Sequence, residues 1–171
     1  METAHLFEKA EKTVAFLKEK GLSVATAESC TGGMVSAFIT SVSGVSEVFE
    51  LGITSYSCRI KNEVLGVDGK VLDTLGARSE ETAEQMAENV RRMAGSDIGV
   101  SVTGVAGPQS SEGHPVGYIF IAISGENGTK ARLLNLKPED RNEIRKETVA
   151  EVFNLIDEYV TKGINDESTK V

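Results

Sequence analysis

Residues 22–39 limit what this chain can fold into more than any other stretch. The run Leu22-Ser23-Val24-Ala25-Thr26-Ala27 is short and apolar with β-branched residues at alternate positions, the pattern of a strand. Glu28-Ser29-Cys30-Thr31-Gly32-Gly33 follows, and Met34-Val35-Ser36-Ala37-Phe38-Ile39 is helix-like with no breaker until Gly44. A strand, a tight turn of small residues and a helix N-terminus therefore meet at Ser29, Cys30 and Thr31. Free backbone N–H groups and the positive end of the helix dipole would face whatever sits there. That arrangement suits a phosphate, or the oxyanion formed when a hydroxyl attacks an acyl carbon. A Ser or Thr that merely N-caps a helix would leave the same signature. The turn alone leaves both readings open.

The rest of the chain alternates in the same way. Residues 3–20 predict an amphipathic helix with Leu6, Ala10, Thr13, Val14 and Leu17 on one stripe and Gly21 ending it. After the turn come a helix over about 33–41, a break at 43–46 and a second strand over 49–56. One or two helical turns over 59–65 close at Gly66, and another short turn is expected at 72–75. Ser79, with Glu80 and Glu81 behind it, caps a helix that runs through Met86 and Val90 to Gly95. A buried strand over 97–103 flows into a second small-residue turn, Gly104-Val105-Ala106-Gly107-Pro108, and a polar loop over 109–114. A strong strand signal over 116–123 reaches the hairpin pair Asn127-Gly128, and 130–136 pairs back. Pro138-Glu139-Asp140 begins a last helix over about 139–161, and 162–171 reads as a disordered tail.

The sum predicts one three-layer α/β/α domain over 1–161, built on a mixed sheet. If strands 22–27 and 97–103 run parallel, the turns after them share the carboxyl edge of the sheet, where ligands bind in open α/β folds. Composition removes other classes. A net charge of −8 with no run of Lys and Arg gives no surface for nucleic acid. No apolar run approaches the roughly 20 residues of a membrane span. No basic-then-apolar start marks a secretory signal. Cys30 and Cys58 are too few for a disulfide framework or a structural zinc site. The expectation is a cytoplasmic protein that needs no metal or cofactor.

Ser29 needs an activator, because a serine hydroxyl is a poor nucleophile at neutral pH. His5 lies in the first helix and His114 in the polar loop, so a Ser-His-Asp triad would have to run through His114. Lys61 is the better candidate. Parallel pairing of 22–27 with 49–56 would set Tyr56 beside the Ser29 turn and let the Lys61 amine reach the serine oxygen. A desolvated amine has a lowered pKa and acts as a base, and Tyr56 would hydrogen-bond it or relay a proton. Composition alone supports plainer roles, with Tyr56 a half-buried strand end and Lys61 a solvated helix residue. A tyrosine followed by a lysine also suggests short-chain dehydrogenases, but the spacing is wrong and no G-x-G-x-x-G opens the chain. A helix N-terminus would lower the pKa of Cys30 and make it a nucleophile, but no His accompanies it. A small buried residue is its plainer role, and Cys58 reads as structural.

Several motifs occur in order: Ala27 to Gly33; Ser55-Tyr56-Ser57 with Lys61; Leu65-Gly66-Val67; Gly76-Ala77-Arg78-Ser79-Glu80; Thr103 to Pro108; Pro115-Val116-Gly117; and Asp140-Arg141 with Arg145. Together they resemble the CinA carboxy-terminal domain family, also called nicotinamide-nucleotide amidases, over about residues 5–160. The amino-terminal domain of full-length CinA proteins has no counterpart, so a stand-alone form is expected. The resemblance implies hydrolysis of nicotinamide mononucleotide to nicotinic acid mononucleotide and ammonia. It places the catalytic roles on Ser29, Tyr56 and Lys61, with backbone N–H groups near Cys30 to Gly32 holding the oxyanion. Cys30, Thr31, Gly32, Thr103, Gly104, Ala106 and Arg145 are expected around the substrate.

Arg141 and Arg145 are four apart and could share a helix face as an anion clamp. Arg141 is expected instead to pair with Glu139 or Glu143 on a solvated surface. A homodimer is the family-like expectation. The rival is a non-catalytic nucleotide-binding or competence-associated protein of the same fold. Two departures stand out: Gln109 to His114 is shorter than the usual loop and carries His for Lys, and Cys58-Arg59 replaces an Asn-Glu pair.

Overall fold

The structure is a computed structural model and describes residues 2–137 and 140–162. The expected start of the last helix at Pro138 and Glu139, and the expected tail from residue 163 onward, lie outside the described residues. Five strands, β1 (Val24–Glu28), β2 (Phe49–Thr54), β3 (Ile98–Gly104), β4 (Tyr118–Gly125) and β5 (Gly128–Asn135), form one sheet in the order β2-β1-β3-β4-β5. β1 pairs in parallel with both β2 and β3, whereas β3, β4 and β5 pair antiparallel. The carboxyl ends of β1, β2 and β3 therefore share one edge, with Glu28 opposite Thr54 on one side and Val102 on the other.

Helices α1 (Thr3–Lys20), α2 (Met34–Thr40) and α6 (Arg141–Lys162) cover one face of the sheet, and α5 (Glu80–Ala94) covers the other. The two-residue period of the strands sorts their side chains between these layers. Val24, Val100, Ile119, Ile121 and Ile123 pack with Leu6, Leu17, Ile39, Ile144 and Phe153. Ala25 and Ala27 turn the other way against Met86 and Val90, and Phe120 and Ala122 meet Ala83 and Ala87. Both faces are covered, so every residue of β1 and β3 is buried. The α5 side of the sheet is lined with small residues and the helix lies close. Ser101 Oγ donates to the Ala83 carbonyl at 2.6 Å, and a Cβ on Gly99 would stand 2.2 Å from the Ala87 carbonyl oxygen.

The mixed three-layer architecture matches the expectation, and the boundaries shift for local reasons. β1 starts at Val24 because Leu22 donates to the Leu17 carbonyl and closes the left-handed Gly21 cap of α1. β2 stops at Thr54 because Ser57 turns the chain and caps α3 (Cys58–Glu63), its side chain accepting from the Ile60 amide. The turn expected at 72–75 is instead α4 (Gly69–Thr74), which Asp68 caps through the Lys70 amide.

Candidate active site

The edge shared by β1, β2 and β3 gathers the chemistry. Leaving β1, the Ser29 amide donates to the Val102 carbonyl at 3.0 Å and the Ser29 carbonyl accepts from Gly32 at 3.0 Å. Gly32 and Gly33 have φ of 63° and 94°, the left-handed backbone that lets the strand turn sharply into α2. On the neighbouring strand the Ser55 amide donates to the Glu28 carbonyl at 2.9 Å. From α3, Lys61 reaches back beneath the turn, with 1% exposure. Its Nζ lies 3.0 Å from Ser29 Oγ, 2.7 Å from the Ser55 carbonyl and 3.4 Å from the Tyr56 carbonyl.

Burial lowers the Lys61 pKa below the ordinary 10.5; the Arg78 charge pushes the same way, while Cys58, Cys30 and Glu112 oppose. A neutral amine has two N–H donors and one lone pair. In that form the two carbonyls would take the donors and the lone pair would face the Ser29 hydroxyl, whereas the ammonium form donates to Ser29 Oγ.

The turn differs from the expectation in one respect. Glu28 is 1% exposed. Its carboxylate accepts from the amides of Gly33 and Val35, each at 3.0 Å, and from the amide and hydroxyl of Ser36, each at 2.8 Å. The positive end of α2 is thus met by the chain's own carboxylate and does not lie open to a ligand. Of the amides expected at an oxyanion, Gly32 is already spent on Ser29. Those of Cys30 and Thr31 donate to no backbone carbonyl among the described residues. Cys30 is buried, and burial is the main force pushing its thiol up to about 11. A thiol held protonated at neutral pH is a poor nucleophile. Cys58 is exposed.

Ser29, Cys30, Tyr56, Gly104 and Ala106 line a pocket of about 120 Å³. Thr31, Gly32, Thr103 and Arg145 are not among its walls. Thr31 is fully buried, and Thr103 Oγ1 donates to the Ala77 carbonyl at 2.5 Å. The two arginines exchange their expected places. Arg145 supports the turn through the Thr31 carbonyl at 2.7 Å. Arg141 lies one turn nearer the start of α6. There it bonds the Gly107 carbonyl and donates to the Tyr56 hydroxyl at 3.1 Å, which sets it on the pocket wall; its expected partner Glu139 lies outside the described residues. Tyr56 is 61% exposed, and its phenol meets Arg141, so only its backbone carbonyl reaches Lys61.

Arg78, Gln109 and Ser111, outside the residues expected at the site, also line the pocket. The available signal was position, since the cap of α5 and the loop after Pro108 both belong to the edge that carries Ser29. Arg78 pairs with Glu112 and ties the 109–114 loop to the body of the protein. His114 stacks on Tyr118, ring centroids 4.1 Å apart, and is not a wall of the Ser29 pocket.

Residues 7–160 match the profile of the CinA C-terminal domain. A competence-damage inducible protein of Acetivibrio thermocellus is 46% identical over 147 residues, covering 85% of this chain and 35% of that protein. One from Streptococcus pneumoniae is 42% identical over 147 residues, covering 86% and 35%. The chain thus spans about a third of the length of these curated relatives. Among solved structures, the competence/damage inducible protein CihA of Agrobacterium tumefaciens superposes with a TM-score of 0.87 at 33% identity, covering 92% of this chain and 96% of that one. A competence damage-inducible protein A of Klebsiella pneumoniae gives 0.89 at 26% identity, covering 92% and 98%. No helix among the described residues is long and apolar enough to cross a membrane.

Proposed function

This chain belongs to the CinA C-terminal domain family, and we propose that it is an amidohydrolase that converts nicotinamide mononucleotide to nicotinic acid mononucleotide and ammonia. The observation that carries this reading is the buried Lys61 amine 3.0 Å from Ser29 Oγ. In the proposed reaction the neutral amine takes the Ser29 proton as the oxygen attacks the carboxamide carbon. The Cys30 and Thr31 amides donate to the developing oxyanion. Lys61 then returns the proton to the departing nitrogen and ammonia leaves. A water that gives its proton to Lys61 attacks the acyl-serine ester, and Lys61 passes that proton to the departing Ser29 oxygen, which restores the free hydroxyl and the neutral amine.

Arg78 and Arg141 on the pocket walls supply cations for a phosphate. Tyr56 orients Arg141 in this scheme and does not act on the proton. The test is ammonia release from nicotinamide mononucleotide, compared with nicotinamide riboside, which lacks the phosphate. The mononucleotide is expected to be turned over with a clearly lower KM than the riboside, and Arg141→Ala should narrow that gap. A nucleotide that stabilises the fold against heat without releasing ammonia would mark a binding protein instead.

A further inference from the structure

We propose that Glu28 is a positioning residue for Ser29: its buried carboxylate locks the strand-to-helix turn so that the Ser29 hydroxyl meets the Lys61 amine. This rests on the Ser29–Lys61 reading of the site and is independent of the substrate. Three features of Glu28 carry it. Its carboxylate gathers donors from residues five, seven and eight positions ahead, so strand end and helix start are tied as one unit. Its backbone carbonyl accepts from Ser55, whose own carbonyl holds the Lys61 amine. Ser36 Oγ, bonded to the carboxylate, also shares a 2.7 Å hydrogen bond with Thr26 Oγ1 and anchors the network to β1.

The need for such a lock follows from the turn itself. Gly32 and Gly33 are the residues with most backbone freedom, and they sit directly after the catalytic segment. A surface Ser, Thr or Asp would cap α2 without removing a charge from water. A carboxylate at 1% exposure, with no Lys or Arg ion pair among the described residues, is a costly way to obtain a cap alone. What it adds is reach: one rigid group spans the turn and fixes the Oγ direction. In Glu28→Gln one acceptor becomes an NH2 group that faces an amide donor, and the turn is released.

The experiment follows the rate of Ser29 modification by a fluorophosphonate reagent, read by intact mass and without any nucleotide. Wild type, Glu28→Gln, Ser36→Ala and Val90→Ala are compared at 25 °C, with melting curves for each. Val90→Ala is a core truncation on α5, on the opposite face of the sheet from α2, and it leaves every hydrogen bond of the Glu28 carboxylate in place. Glu28→Gln is expected to label roughly 10²-fold more slowly, the penalty of about 1 Å of misplacement. Ser36→Ala, which drops one of the four bonds, should show a smaller loss in the same direction, and it remains decisive if Glu28→Gln does not fold. Val90→Ala should lose melting temperature yet label within about threefold of wild type, because a core cavity lowers stability without moving the turn. On nicotinamide mononucleotide, kcat should fall with the labelling rate while KM holds.

Wild-type labelling rates in Glu28→Gln and Ser36→Ala would overturn the proposal and leave the amidase reading intact. An equal slowing in Val90→Ala, or no Ser29 labelling in wild type, would overturn it too. Normal labelling contrast with no ammonia release would count against the substrate reading and support the role of Glu28.

Discussion

Lys61 gives up the hydration of an ammonium for two carbonyls and one hydroxyl, and that exchange sets its chemistry. A general base works only in its neutral form, so kcat/KM should climb with pH until the Lys61 pKa, with a midpoint below 10.5. Arg78→Ala removes a cation that favours the neutral amine and should move the midpoint up. Glu112→Gln removes a carboxylate that opposes it and should move the midpoint down. pH–rate profiles of the three proteins check both directions. Cys30, pushed up to about 11, should resist iodoacetamide at pH 7.5 while exposed Cys58 reacts, which peptide mapping would show.

At this scale the sequence spoke unevenly. Lys61 was legible because parallel pairing of two apolar runs carries it to Ser29. The expectation put Arg145 at the substrate and Arg141 in solvent, although residues four apart share a helix face and only the placement of α6 decides which reaches the pocket. Glu28 was silent, because a glutamate before a turn gives no sign that it will fold back onto amides five to eight residues ahead.

Among the elements, α5 lies close against the sheet. The small residues there exist to let a helix approach, so filling one should cost more than an ordinary surface change. Gly99→Ala would place a methyl 2.2 Å from the Ala87 carbonyl and 2.6 Å from Arg91 Cβ. Overpacking of this kind costs about 1–3 kcal/mol, and a lower urea midpoint at unchanged slope would register it. Long periodic elements such as α1, α5 and β4 were readable from pattern. The short ones were decided by single side chains: Asp68 starts α4 earlier than the apolar spacing suggests, and Ser57 ends β2 by capping α3.

For the molecule as a whole, the Lys61 site also touches stability. Between the folded-state pKa and the unfolded 10.5, the unfolded chain holds more protons, so the Lys61 contribution to stability rises with pH and its penalty is full below that window. Lys61→Met abolishes this titration. The stability difference between variant and wild type should therefore drift in favour of wild type as pH rises from 7 towards 10, in paired urea melts. The topology was legible because strands buried on both faces announce a covered sheet, and because turns after parallel strands must share an edge. The pocket walls from Arg78 and the 109–114 loop were not, since their closeness to Ser29 exists only once the sheet has formed.

The central claim is that Lys61 activates Ser29 for amide hydrolysis. Its most direct test is ammonia release from nicotinamide mononucleotide by wild type, Ser29→Ala and Lys61→Ala side by side. Wild type should turn the nucleotide over, and each variant should lose on the order of 10³-fold or more, as for members of one nucleophile–base unit. Turnover that survives Ser29→Ala would contradict the claim.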